Sequence, residues 1–220
     1  MIPPEQNGQF VADMERVLDV YKRPYDPDYP VVCMDESPRQ MIRETRKPIP
    51  AAPGRPARVD FEYDRCGVCN IFMASEPLAG KRFVEVTERK TRQDWAYFIE
   101  NIAERYEGAG KITLVMDHFC THSAGSLYET FPPEKAKKLW DMFEFIYTPK
   151  HGSWLNMAEI ELNVLIAQCL SGRIDTIEKF RQKVGAWLIH RNNLKAKINW
   201  QFTTSKARIK LKRLYPTLDT

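Results

Sequence analysis

Two short apolar runs constrain the fold of this chain more than any other feature of its sequence. VVCMDE at 31–36 and ITLVMD at 112–117 are almost wholly apolar until each ends in an acidic residue. A strand that is apolar on both faces is typical of the centre of a sheet, where helices cover it from both sides. We therefore expect an α/β fold with helices on both faces of the sheet.

Further elements are predicted around these two strands from the spacing of apolar residues and from turn residues. Because strands come first and then alternate with helices, the expected architecture is a mixed sheet. The predicted strands are 31–36, 66–77, 81–89, 111–117 and 143–149. The predicted helices are 5–22, 91–106, 133–141, 153–170 and 175–194. The proline-rich segment 43–58 is predicted to be an exposed irregular loop.

The chain is long enough for one substantial core and is predicted to contain three segments. Residues 1–29 hold a helix and a proline-rich connection, 30–198 the main domain, and 199–220 a basic tail. No apolar stretch approaches the roughly 18 to 20 residues of a membrane span, and the beginning of the chain does not resemble a signal peptide. We therefore expect a cytoplasmic protein. Five irregularly spaced cysteines favour reduced thiols over disulfides.

Basic residues are concentrated in two places, although the net charge is only +4. One is the proline-rich loop and the other is the end of the chain. Such concentrations favour a polyanionic partner such as DNA, whereas a solvated surface is the alternative interpretation for each residue. The candidate phosphate contacts are Arg43, Arg46, Lys47, Arg55, Arg58, Lys206, Arg208, Lys210, Lys212 and Arg213.

Asp35 and Asp117 end the two apolar strands. Ligands in an open α/β sheet lie just outside the carboxyl ends of strands, and neighbouring strands are about 4.8 Å apart, so the two aspartates could share a site. Capping of the following turn is the alternative. A third carboxylate would favour a pair of divalent ions, which lie about 3.5 to 4 Å apart and need several acidic oxygens.

The run SWLNMAEIEL at 153–162 offers two candidates for the third carboxylate. Glu159 and Glu161 point about 160° apart around a helix, so only one of them can face a shared site. In the predicted helix, Glu159 lies on a polar strip with Asn156 and Asn163. This strip favours Glu159 as the site residue and leaves Glu161 as a salt-bridge or rim residue.

Three motifs occur together in this sequence. They are a strand ending in MDE, a strand ending in MD with His122 five residues after its Asp117, and the run TPKHGSWLNMAE. They resemble the catalytic domain of bacterial insertion-sequence transposases in the Tc/mariner superfamily. LNMAE is the most specific piece and corresponds to the family's leucine-asparagine-x-x-glutamate signature. The resemblance extends from about Pro3 to Pro216, while His118 and Cys120 depart from the residues usual in relatives.

This resemblance implies a ribonuclease H-like fold with an N-terminal linker helix and C-terminal helices. Carried over by position, the catalytic and metal-binding triad is Asp35, Asp117 and Glu159. The triad would hold two magnesium or manganese ions, because carboxylate oxygens suit these hard cations. His122 and Asn156 are possible accessory residues.

The implied function is DNA transposition, by metal-dependent phosphodiester cleavage and strand transfer at insertion-sequence ends. The implied partners are element-end DNA and target DNA. The chain would bind this DNA as a homodimer and would then be associated with the nucleoid. Relatives carry a helix-turn-helix region ahead of the segment with which this sequence begins. We therefore expect a catalytic half that is either truncated or completed by a separately encoded helix-turn-helix domain.

Three alternatives stay open. A copy without its DNA-recognition domain could be a remnant that keeps the fold and no longer transposes. His118 and His122 have the spacing of a helical metal pair, which together with Asp117 would indicate another metal-dependent nuclease or hydrolase. Cys66 and Cys69 have the spacing of half a zinc site, but the sequence contains no second such pair.

Overall fold

A computed structural model describes residues 6–217. Residues 1–5, which include the start of the predicted first helix, and 218–220, the end of the predicted tail, lie outside the described residues. The strands form one sheet in the order β3-β2-β1-β4-β5. They are β1 (Val31–Glu44), β2 (Tyr63–Glu76), β3 (Lys81–Thr87), β4 (Ile112–Met116) and β5 (Phe143–Tyr147).

The sheet is mixed, as predicted. The central strand β1 is antiparallel to β2 and parallel to β4, while β3 and β5 form the edges. The α-helices are α1 (Gly8–Tyr21), α2 (Arg92–Arg105), α3 (Ala124–Tyr128), α4 (Pro133–Met142), α5 (Met157–Cys169), α6 (Ile177–Asn193) and α7 (Thr204–Lys210). Among the described residues, these helices include none that is long and apolar enough to cross a membrane.

Helices cover both faces of the sheet, which confirms the interpretation of the apolar strands. Because side chains alternate along a strand, Val32 and Met34 pack with α2, α3 and α4 on one face. Cys33 and Val115 pack on the opposite face with α1, the start of α5 and α7. The β2 and β3 part of that face packs against α5 and α6.

Strand β1 is longer than predicted. It continues through Pro38 to Glu44 because β2 provides antiparallel partners along this length. Proline has no backbone N–H to donate to a neighbouring strand. Pro38 fits because β4 pairs only with Val31–Cys33, so among the described residues β1 has no partner strand on that side at Pro38. Asp35 therefore lies inside β1 rather than at its carboxyl end. The predicted irregular loop begins after Glu44, and its exposed residues include two isolated bridges, Ile49 to Arg58 and Ala52 to Arg55.

The helix predicted at 153–170 is also different. A short 3₁₀ helix spans Ser153–Leu155, and α5 begins only after Asn156. The Asn156 side chain accepts a hydrogen bond from the Ala158 backbone N–H, so Asn156 is the N-cap of α5. The prediction that Asn156 shares a helical polar strip with Glu159 is therefore wrong.

Candidate active site

The register between β1 and β4 brings Asp35 and Asp117 to the same level of the sheet. Cys33 pairs with Val115, and each aspartate lies two residues further along its own chain segment. Since the two strands are parallel neighbours, their chains leave this pair side by side. Asp35 is part of β1, whereas Asp117 directly follows β4.

Glu159 lies in the first turn of α5, next to β1. The Asn156 side-chain amide donates a hydrogen bond of 2.7 Å to the backbone carbonyl of Met34, the residue before Asp35. This bond fixes the start of α5 against the strand that carries Asp35. Asp35, Glu36 and Glu159 accordingly line one cleft of about 250 Å³.

Asp117 lines a second, larger cleft of about 900 Å³. His118, Lys150 and His151 line it together with the first residues of α1. His151 has a φ of 66°, a left-handed conformation that is uncommon for residues other than glycine. Such strain is often found at functional sites, so the loop after β5 is a candidate part of a binding surface.

The surroundings of Asp35 disfavour its charged form. Burial is the largest cause that raises its pKa, and the carboxylates of Asp117, Glu36 and Glu159 raise it further. The backbone N–H of Glu36 donates to Asp35 and opposes the rise, yet the pKa reaches about 7. The carboxylates of Asp117 and Glu159 thus both act on Asp35, and a cation beside Asp35 would favour its charged form.

His122 lies between two carboxylates. Its Nδ1 is 2.8 Å from Asp117 Oδ1, and its Nε2 is 3.3 Å from Glu36 Oε2. Burial disfavours the charged ring, but the two carboxylates outweigh burial and raise the pKa of His122 to about 10. Glu36 was not predicted from the sequence, because side chains alternate along a strand and Asp35, its neighbour, was assigned to the site.

Glu36, Asp117 and His122 also form a compact group of possible ligands. One ligand atom from each lies within 4.8 Å of the others, and over residues 6–217 this is the one group of three or more His, Cys, Asp or Glu side chains to meet that criterion. However, both ring nitrogens of His122 face carboxylates. A ring protonated on both nitrogens, the form that these carboxylates favour, has no lone pair for a metal, so the contacts favour an ion pair over a histidine ligand.

Glu161 is fully buried and lines neither of these clefts. Its carboxylate lies 2.7 Å from Nη2 of Arg82, which is itself buried, and 3.0 Å from Nη2 of Arg191. Burial raises the pKa of Glu161, but the hydrogen bonds from the two arginines outweigh it and lower the pKa. Glu161 therefore joins α5 to β3 and α6 as a buried salt-bridge residue rather than a rim residue.

All ten basic residues that were predicted to contact phosphate are exposed. Several already have acidic neighbours: Arg43 pairs with Asp64, and Arg208 with Glu15 on α1. The segment predicted as a basic tail includes the helix α7, which packs on the same apolar cluster as α1. The tail is therefore partly a structured element of the main body.

Two of the predicted alternatives do not agree with the structure. His118 and His122 do not form a helical pair, because α3 begins only at Ala124. The ring of His118 instead lies against Tyr147, at 4.8 Å between ring centroids. Cys66 and Cys69 lie on β2, whose pairing with β1 shifts in register just before Val68, and Cys69 is fully buried. Among the residues that the structure describes, neither cysteine belongs to a group of three or more possible metal ligands.

Comparison with known proteins gives a family and a fold. Residues 30–181 match the family described as DDE superfamily endonuclease. A search of curated proteins gives no match to this sequence. Fifteen chains of solved structures match.

The fold is similar to that of the Mos1 mariner paired end complex with Mn, with a TM-score of 0.59 and 15% identity over 89% of this chain and 60% of that one. The Mos1 strand transfer complex gives a TM-score of 0.60 and 15% identity over 89% of this chain and 59% of that one. The Mos1 paired end complex with Mg gives 0.59 and 15% over 99% and 66%. At this identity the similarity concerns the fold, and the chain spans about three fifths of the first of these structures.

Proposed function

The chain belongs to the DDE superfamily endonucleases, and on that premise we propose that it is the catalytic domain of a DNA transposase. Asp35, Asp117 and Glu159 are its catalytic residues. The observation that carries this proposal is the parallel register of β1 and β4, which brings Asp35 level with Asp117, together with the cleft that Asp35 shares with Glu159. The finer assignment is a ribonuclease H-like domain of a bacterial insertion-sequence transposase in the Tc/mariner superfamily.

The three carboxylates fit a site for two magnesium or manganese ions. Their ligand atoms are all oxygens, which these ions prefer. Burial, followed by the neighbouring carboxylates, raises the pKa of Asp35. Bound ions would activate water or a DNA 3′-hydroxyl and stabilise the leaving oxygen during in-line attack on a phosphodiester. The Mos1 complexes with Mn and with Mg support the choice of metal.

Asn156 and His122 act as accessory residues in this proposal. Asn156 orients the first turn of α5, which carries Glu159, through its bond to the Met34 carbonyl. His122 contacts Asp117 and neutralises part of the surrounding negative charge. Neither residue needs to bind a metal for this role.

The partners are proposed from the fold and from the exposed basic residues. Element-end and target DNA would contact the ten basic candidates, and a second copy of the chain would complete a homodimer on DNA. A separately encoded helix-turn-helix domain would supply recognition of the ends. The domain boundaries 1–29, 30–198 and 199–220 and the location in the cytoplasm remain predictions.

Nicking of DNA tests this function. The full chain, supplied with a helix-turn-helix domain and DNA from the ends of its element, is expected to nick that DNA with magnesium or manganese but not with a chelator. Asp117→Asn should lose nicking, whereas Glu134→Gln, an exposed substitution on α4, should keep it. Undiminished nicking by Asp117→Asn would contradict the assignment. Absence of nicking by the unsubstituted chain, despite intact binding to these ends, would favour a remnant that no longer transposes.

A further inference from the structure

Glu36 is a buried carboxylate outside the proposed triad. It follows Asp35 in β1, and its side chain is only 3% exposed. A buried carboxylate is costly unless charged partners or hydrogen bonds compensate it. The charged groups around Glu36 therefore indicate its role in the fold.

The contacts of Glu36 form a chain that ends at Asp117. Lys90, in the connection between β3 and α2, has its Nζ 3.2 Å from Glu36 Oε1. The other carboxylate oxygen, Oε2, lies 3.3 Å from His122 Nε2. The second ring nitrogen of His122, Nδ1, lies 2.8 Å from Asp117 Oδ1 and 3.0 Å from the Asp117 backbone oxygen. Each member thus lies within ion-pair distance of the next.

Aromatic packing restricts His122 to one orientation. The Trp95 ring stacks on it with centroids 5.6 Å apart and an interplanar angle of 29°. Phe119 meets it edge-on at 5.9 Å, and the Lys90 ammonium lies 4.4 Å above the Phe119 ring. Tyr147 donates a hydrogen bond of 3.0 Å to the His122 backbone carbonyl. The ring therefore cannot turn away from either carboxylate without loss of this packing.

Asp117 needs such support more than Asp35 does. Asp35 lies inside a paired strand, whereas Asp117 lies after the end of β4, and its side chain is 39% exposed. A ligand on irregular backbone would otherwise sample several rotamers, which costs entropy when it binds a metal. With one oxygen held by His122, the second oxygen of Asp117 is oriented for a ligand.

We propose that Glu36 is a positioning residue that orients Asp117 through His122, with Lys90 as the outer end of the chain. This inference rests on the proposed function, because it requires Asp117 to be a metal ligand. Glu36 itself does not bind the metal in this account. In the alternative, Glu36, Asp117 and His122 together hold a metal, and Glu36→Gln would then bind one ion fewer than the unsubstituted chain.

Titration of the full chain with Mn²⁺ tests this inference by measuring the affinity and the number of bound ions. Glu36→Gln keeps the shape of the side chain and removes its charge, and we expect affinity to fall by about 10- to 100-fold with the number of ions unchanged. Lys90→Ala, at a side chain that is 29% exposed, should give a smaller fall in the same direction and is a second variant in case Glu36→Gln does not fold. Glu129→Gln is the matched control, since it removes one charge from an exposed pair with Arg92 that includes neither Glu36 nor His122.

Unchanged affinity in both Glu36→Gln and Lys90→Ala would overturn the inference, as would the loss of one bound ion in Glu36→Gln. Asp35→Asn separates this failure from that of the proposed function. If Asp35→Asn loses an ion while Glu36→Gln binds normally, only the positioning role is wrong. If neither the unsubstituted chain nor Asp35→Asn shows specific Mn²⁺ binding, the proposed function fails and the inference fails with it.

Discussion

The side chain of Asn156 connects the helix that carries Glu159 to the strand that carries Asp35, because its amide donates a 2.7 Å hydrogen bond to the Met34 carbonyl. The same side chain accepts a hydrogen bond of 3.1 Å from the Ala158 backbone N–H. One buried residue therefore sets both where α5 begins and where it lies against β1.

Replacement of Asn156 should impair both stability and nicking. Asn156→Ala loses the helix cap, worth about 1 kcal/mol, and leaves the buried Met34 carbonyl unsatisfied, which costs about 1 to 3 kcal/mol. Asn156→Asp keeps the cap acceptor but cannot donate to that carbonyl, so its nicking should also fall. Urea unfolding and nicking rates per folded molecule measure the two effects, with the exposed Asn199→Ala as control. Normal nicking by Asn156→Asp would show that the bond to Met34 does not position Glu159.

The two glutamates of α5 should respond in opposite ways to the same change. Glu161→Gln leaves the buried Arg82 without its charged partner, and loss of one partner of a buried pair typically costs about 3 to 5 kcal/mol. Glu159→Gln, at a partly exposed residue, should barely change the free energy of unfolding and should abolish nicking. Urea denaturation of both variants beside a nicking assay decides the matter. Equal stability of Glu161→Gln and the unsubstituted chain would contradict a structural role for this pair.

The turn between β2 and β3 should tolerate only glycine at position 80. Gly80 has a φ of +69°, and a Cβ there would lie 2.6 Å from the Lys195 backbone oxygen. Gly54 has a similar φ of +74° but has no atom within 4 Å of such a Cβ. Gly54→Ala should therefore cost only the backbone strain of about 1 to 2 kcal/mol, and Gly80→Ala clearly more. Urea unfolding of the two variants tests this, and equal losses would show that contact with Lys195 is not limiting.

Charge reversal at the end of the chain tests its contact with DNA. Lys210 and Lys212 are exposed, and each phosphate contact contributes about 0.9 to the slope of log affinity against log salt concentration. Lys210→Glu with Lys212→Glu should weaken DNA binding and reduce this slope. Lys137→Glu, an exposed change on α4 outside the predicted basic regions, serves as the control. A slope that is unchanged in the double variant would remove both lysines from the interface.

Local sequence patterns were sufficient to predict the central strands and the layers around them. The apolar runs that contain Asp35 and Asp117 require cover on both faces, and the structure has it. Register is not local, so the pairing of Cys33 with Val115, which places the two aspartates level, could not be derived. The length of β1 was missed because Pro38 is a strong signal to end a strand unless the strand is unpaired on one side there.

Sequence patterns also could not predict the roles of residues whose partners are distant in the chain. Arg82 looks like an ordinary base at the start of a strand, and its role depends on Glu161, 79 positions away. Glu36 has the same difficulty, because its partners Lys90 and His122 come from separate connections. Burial and pairing of charges across such separations require the folded chain.

Anomalous diffraction from crystals soaked in Mn²⁺ tests the central claim most directly. The account predicts two manganese peaks among the carboxylates of Asp35, Asp117 and Glu159, with Glu36 and His122 outside the coordination sphere. Metal-specific peaks should vanish in Asp35→Asn crystals. A single peak bound by Glu36, Asp117 and His122, or no peak at the triad in well-ordered crystals, would contradict the account.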